Sequence, residues 1–371
     1  MLKKISLFLA AIVMIVALTG CTGTPVVYQV NCTCPTAAPA TPVPEATEAP
    51  VEEASPISES EASPVSENPV KTGLYIGATA KDSVSASAEE NGEAKYDITL
   101  VAVTVNDAGV ITDCIIDSIG TSVAFDANGA IVSNTAAEIL TKNELGEAYG
   151  MKAYAGSKYE WNEQAAALAE YAVGKTVEEL KNGAVNESGK AKDADLASTA
   201  TIYIGGYVAG IEFAANNAQH LGAQAGDELR MVVIPSAGDS ASATEEKAGN
   251  AQLNADVAVL TMNGETITSC YIDSLQAKVA FDAAGMITSE TNVFQTKNEL
   301  GEAYGMKAYA GSAYEWNEQA AAFAQYVTGK TAAEVAGIAV NEKAAPTDAD
   351  LASTVTISIG GFQGLIAKAA Q

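Results

Sequence analysis

With 371 residues, 48% of them hydrophobic, the chain has the length and apolar content for two domains of ordinary size, each with its own core, and it is no small disulfide scaffold. Its 46 acidic side chains outnumber 20 basic ones, Arg230 being the single arginine, and the net charge of −26 gives a surface that repels phosphate groups. That balance argues against nucleic acid as a partner and weakens adsorption to anionic lipid, so any membrane attachment must be covalent or hydrophobic.

The first elements point to such an attachment. Lys3 and Lys4 are followed by an apolar run from Ile5 to Ala17 and then by Leu18-Thr19-Gly20-Cys21. The run falls short of the ~20 residues that span a bilayer. The pattern resembles the lipobox of bacterial lipoproteins, which implies a signal peptide over 1–20, cleavage before Cys21 and attachment of diacylglycerol to its thiol. Two or three acyl chains would hold the protein firmly to the outer face of the cell membrane. Residues 21–71 then form a segment rich in Pro, Ala, Glu, Ser and Thr, with Cys32 and Cys34 two positions apart near its start. Such composition cannot build a core, and its proline content favours an extended, disordered tether that could lift the folded part ~100 Å from the membrane.

Beyond the tether the chain repeats itself. The seventeen residues from Thr141 to Ser157 return unchanged from Thr296 to Ser312, 155 positions later. Around them Ile116-Asp117-Ser118 matches Ile272-Asp273-Ser274, Val123-Ala124-Phe125-Asp126 matches Val279-Ala280-Phe281-Asp282, and Trp161-Asn162-Glu163-Gln164 matches Trp316-Asn317-Glu318-Gln319. A period this long implies two whole domains, 72–222 and 227–371. In each, an alternating first half such as Ile98–Val105 reads as antiparallel strands and hairpins. The second half carries Ala-rich helical periodicity from about Tyr159 to Val173, a short Val177–Lys181 helix, a β-branched stretch and a closing helix near Val208 to Ala218. The expected class is α+β, two tandem copies of one domain, each an antiparallel β half followed by Ala-rich helices.

Elimination narrows the chemistry. The single histidine, His220, lies between the repeats, so a duplicated His-based triad is excluded and no catalytic residue is assigned. No cysteine or histidine spacing suits haem, zinc or iron–sulfur, no metal site is expected, and no glycine-rich loop cradles a soluble nucleotide. Cys114 and Cys270 occupy equivalent strand positions and read best as small buried apolar side chains, which would meet only if the domains packed symmetrically.

What remains is Asp195-Leu196-Ala197-Ser198-Thr199-Ala200-Thr201 and its counterpart Asp350-Leu351-Ala352-Ser353-Thr354-Val355-Thr356, each before a Gly-Gly pair and an amphipathic helix. The segment resembles the Asp-x-x-Ser/Thr-Gly-Ala-Thr target of bacterial flavin transferases, in which the last Thr receives FMN from FAD through a phosphoester. Carried over, Thr201 and Thr356 would be the acceptors and Asp195, Ser198, Asp350 and Ser353 the recognition residues. Thr199 and Thr354 depart from the usual Gly, and Val355 from the usual Ala.

The wider pattern, Thr-Lys-Asn-Glu-Leu-x-x-x-Tyr-Gly-Met-Lys, then Glu-Trp-x-Glu-Gln-Ala, Gly-Lys-Thr and Asp-Leu-x-x-x-Val-Thr-Ile, is similar to that of the PplA-type flavinylated lipoproteins of Gram-positive bacteria. This resemblance implies two covalent FMN groups, a flavin transferase as partner, a quinol- or flavin-linked membrane donor, and an extracellular acceptor such as iron(III). A redox carrier needs no catalytic constellation of its own, because the cofactor brings the chemistry. Tyr149, Trp161, Tyr304 and Trp316 are candidate flavin contacts, and Lys152 and Lys307 are candidate phosphate partners or plain surface lysines. The competing reading is a non-catalytic surface lipoprotein that binds a solute, against which the tandem duplication argues.

Overall fold

The computed structural model describes residues 68–371. The expected leader, Cys21, Cys32, Cys34 and nearly all of the expected tether lie outside the described residues.

Each repeat is a three-stranded antiparallel meander followed by helices. In the first, β1 (Lys71–Thr79), β2 (Gly92–Val105) and β3 (Ile111–Phe125) lie in the order β1-β2-β3. The helices α1 (Lys142–Leu145), α2 (Met151–Ala155), α3 (Trp161–Ala172), α4 (Val177–Ala184), α5 (Ala194–Thr199) and α6 (Gly205–Asn216) follow. The second repeats the arrangement with β4 (Glu228–Ser236), β5 (Gly249–Asn263), β6 (Thr266–Phe281), α7 (Lys297–Leu300), α8 (Met306–Ala310), α9 (Trp316–Val327), α10 (Ala332–Ala336), α11 (Ala349–Ala352) and α12 (Gly360–Ala369). The mixed α+β class and the tandem layout are those the sequence suggests.

Strand alternation sorts the core into layers. From β2, Ala94, Tyr96, Ile98, Leu100 and Ala102 point to one side, whereas Val101, Val103 and Val105 point to the other, where α3 and α6 pack. The same division in β5 sends Leu253, Val257 and Val259 one way and Ala258, Leu260 and Met262 the other. The first-named sets meet. They form one cluster shared by both sheets, and the resulting order is helices, sheet, sheet, helices.

Contacts across this centre come in reciprocal pairs, as an approximate two-fold relation requires. Phe125 and Phe281, equivalent in the repeat, stack on each other with centroids 4.0 Å apart and planes 3° from parallel. Ala86 N donates to Gly285 O (2.8 Å) and Ala243 N to Gly129 O (2.7 Å). Ile131 N donates to Ser242 Oγ (2.9 Å) and Ile287 N to Ser85 Oγ (3.0 Å). The repeats therefore keep private helix-side cores and share a third. Although they pack symmetrically, Cys114 and Cys270 do not meet, because each lies on the helix-facing side of its sheet, buried, with its thiol free and its pKa pushed up by desolvation.

Local signals explain the helices. Thr141 caps α1 by accepting from Glu144 N while Glu144 Oε2 accepts from Thr141 N, and Thr296 with Glu299 repeats this at α7. Thr176 with Glu179 caps α4 in the same way. The β-branched stretch after α5 forms no strand: Thr201 N and Ile202 N donate to a side chain described below and Ile204 N to Gly189 O. Thr141→Ala is expected to cost about 1–2 kcal/mol, read as a lower denaturant midpoint with an unchanged slope.

Candidate functional site

Helix α3 carries a buried stripe of Trp161, Gln164, Ala165, Leu168, Ala169 and Ala172. Gln164 is the anomaly in that stripe, an uncharged but fully polar side chain with no exposed surface. A buried amide must satisfy both ends. Its Nε2 donates to Tyr159 O (3.1 Å) and Ser157 Oγ (3.3 Å) at the turn that leads into the helix. With the nitrogen committed there, Oε1 faces the segment after α5. It accepts three bonds, from Thr201 N (2.8 Å), Thr201 Oγ1 (3.1 Å) and Ile202 N (3.1 Å).

The second repeat reproduces the arrangement. Gln319 Nε2 donates to Tyr314 O (3.0 Å) and Ser312 Oγ (3.1 Å), and its Oε1 accepts from Thr356 N (2.8 Å), Thr356 Oγ1 (3.1 Å) and Ile357 N (3.2 Å). Both threonines are exposed. Each hydroxyl spends its proton on the glutamine, so the lone pairs of Oγ1 remain for an external reagent.

The expected recognition residues lie on the short helices just before these threonines or at their ends. Asp195 and Ser198 lie exposed on α5, and Ser198 Oγ donates to Asp195 O (2.7 Å). Asp350 and Ser353 are likewise exposed, with Ser353 Oγ donating to Asp350 O (2.7 Å). The helix itself is capped two residues earlier by Asp193, whose Oδ1 accepts from Asp195 N and Leu196 N (3.0 Å each), and Asp348 does the same at α11. Asp195 and Asp350 are thus left without a capping duty.

The aromatic candidates divide. Tyr149 and Tyr304 keep partly open rings, with Lys142 Nζ 5.1 Å and Lys297 Nζ 5.2 Å from their centroids. Trp161 and Trp316 are only 3% and 6% exposed and pack edge-on against Tyr207 and Phe362, both at 5.8 Å. The same lysines lie over the indoles, Lys142 Nζ 5.1 Å from the Trp161 centroid and Lys297 Nζ 4.7 Å from that of Trp316, and with both rings buried a stacking wall at the surface falls to the tyrosines, including Tyr154 and Tyr309, each 90% exposed. Lys152 and Lys307 are paired with Glu163 and Glu318, both at 2.7 Å. They are surface ion pairs.

A second duplicated feature lies around the helix from the glutamine. A cleft of about 560 Å³ is lined by Cys114, Asn143, Asn162 and Ala166, and one of about 550 Å³ by Cys270, Asn298, Asn317 and Ala321, the latter bordered also by Gln219, His220 and Leu221 of the inter-repeat segment. His220 Nε2 lies 3.1 Å from Asp107 Oδ1 at the surface. Among the described residues no cluster of His, Cys, Asp or Glu could hold a metal, and no helix is long and apolar enough to cross a membrane.

The geometry fits a group joined through oxygen at Thr201 and Thr356, since each threonine is exposed and its hydroxyl is oriented by a bond to a buried side chain. Gln164 and Gln319 escaped notice in the sequence as site residues. Their signal was a polar side chain in an otherwise apolar helical stripe. No family model matches the chain, and neither a curated protein nor a solved structure matches it.

Proposed function

We propose that the protein is a lipid-anchored extracellular electron carrier, with one FMN joined by a phosphoester to Thr201 and one to Thr356. The carrying observation is the pair of exposed threonines, at matched places in the repeat, each in a segment tied by three hydrogen bonds, one of them from the hydroxyl, to one buried glutamine. A threonine serving only as a helix-loop residue has no need of such a support in duplicate. The flavin supplies redox chemistry that accepts two electrons or passes them singly. The chain's part is to hold the attachment oxygens outward, to expose Asp195, Ser198, Asp350 and Ser353 to a flavin transferase, and to place Tyr149 and Tyr304 at the surface.

A covalent bond suits an exported carrier, which would lose a dissociable cofactor by dilution. Cys21 would bear the lipid, and the segment after it, which ends before residue 68 because Pro69, Val70 and Lys71 already pair with the folded part, would give the carrier reach between a membrane donor and an acceptor such as iron(III).

The test is colour after denaturation. Protein made alongside an exported flavin transferase is expected to be yellow, and the colour should stay with the polypeptide through acid precipitation. The twin clefts favour a second reading, a surface lipoprotein that binds a small solute. Colourless protein, from cells whose transferase modifies a known substrate, would support that reading instead.

A further inference from the structure

We infer that Gln164 and Gln319 are the positioning residues that select Thr201 and Thr356, among several neighbouring hydroxyls, as acceptors and that set the rate of flavin transfer. The inference rests on the flavin-carrier reading and adds how the acceptor is chosen.

Four hydroxyls crowd the two attachment segments besides the acceptors: Ser198 and Thr199 in one, Ser353 and Thr354 in the other. Ser198 and Ser353 donate to carbonyls of their own short helices, Asp195 O and Asp350 O, both at 2.7 Å. Those bonds move with the helix that makes them. Thr199 meets the Tyr159 phenol at the surface, whereas Thr201 and Thr356 are fastened to the long helix of the core through a side chain with no exposed surface. The two backbone bonds from 201 and 202 hold the loop on the same oxygen that orients the hydroxyl. The glutamine nitrogen, committed to Tyr159 O, prevents the amide from flipping.

The transfer balances simply. Thr201 Oγ1 bonds to the flavin-side phosphorus of FAD, the phosphoanhydride P–O bond breaks, and AMP leaves with that oxygen and its electron pair. The hydroxyl proton passes to a base of the transferase. A neutral amide cannot take it, so Gln164 acts only by direction: with Oγ1 held against Oε1 its lone pairs face the phosphorus, and the hydroxyl hydrogen turns from the buried Oε1 to that base as the P–O bond forms. As the proton departs, the bonds from Thr201 N and Ile202 N keep the loop in place.

The duplication gives each variant an internal control. In time courses with purified full-length chain, FAD and an active transferase, Gln164→Met is expected to slow transfer to Thr201 about a hundredfold while Thr356 is modified at the wild-type rate, and Gln319→Met should do the reverse. Peptide mapping assigns the sites. The loss should fall on kcat, with the carrier concentration for half-maximal rate unchanged, because Asp195 and Ser198 remain exposed. Gln164→Glu, whose buried carboxylate would face Tyr159 O where the amide nitrogen donated, should not recover the rate. Equal rates at both sites in Gln164→Met would overturn the inference, as would a loss confined to the half-saturating concentration, which marks a disordered loop. Wild-type chain that gains no flavin beside a transferase active on a known substrate would instead remove the carrier reading itself.

Discussion

Phe125→Ala is expected to destabilise the whole folded region by about 3–5 kcal/mol, and Phe281→Ala by a similar amount. Both rings are fully buried and each lies against the other at 4.0 Å, so removing one leaves a void that the opposite sheet cannot fill without losing its own contacts. The informative part is the coupling. Because Leu253, Val257 and Phe281 of one sheet share a cluster with Ile98, Leu100 and Phe125 of the other, damage in the first repeat should be felt in the second. The chain holds two tryptophans, Trp161 and Trp316, one on the helix side of each repeat. Trp161→Phe and Trp316→Phe variants thus let fluorescence follow each repeat alone. Denaturant curves from the two should coincide, and Phe125→Ala should shift both midpoints together. Separate transitions, with only the first repeat weakened, would show that the shared centre does not couple them.

Asp273→Asn is expected to stabilise the protein above pH 7, by an amount on the order of 3 kcal/mol. Burial beneath α7 raises the Asp273 carboxyl from the usual 3.8 to about 6, against the opposing bonds from the Thr296 hydroxyl, Asn298 N and Ser274 N. A folded-state pKa above the unfolded value means that the native chain holds this proton more tightly. The contribution to stability is then fully present below about pH 3.8 and is lost as pH rises through about 6. Asparagine keeps the acceptor for Ser274 N and Asn298 N but carries no charge to desolvate. Stability measured from pH 4 to pH 8 should fall less in the variant than in the parent, and an identical pH slope would contradict this account of Asp273. Asp117, the equivalent in the first repeat, is raised for the same first cause, so the slope should flatten further in the double variant.

Much of the architecture was readable in the residues. The unchanged segment at Thr141 and Thr296 revealed the duplication, and Thr141-x-x-Glu144 is a capping box visible as such. Helix α3 was expected from about Tyr159 to Val173 and runs from Trp161 to Ala172, because the Glu160 capping box starts it later than the periodicity alone suggests. The shared core was not read. Its signal was present in Leu100–Val105 and Val257–Met262, runs too continuously apolar for strands with one face in water, but nothing in a single chain says what covers the second face.

Trp161 illustrates the same gap at the site. Its place in a stripe with Ala165, Leu168 and Ala172 directs the indole into the core rather than toward a ligand. Gln164 belongs to that stripe too, and a polar residue at a core position marks a segment that must be held. What it holds, Thr201, lies thirty-seven positions away, a contact that only the fold reveals.

The most direct test of the carrier account is the intact mass of chain produced with an exported flavin transferase, compared with Thr201→Val, Thr356→Val and the double variant. Each FMN should add roughly 440 Da, giving two additions in the parent, one in each single variant and none in the double. An unmodified parent beside a transferase shown active on a known substrate, or additions that persist without both threonines, would contradict it.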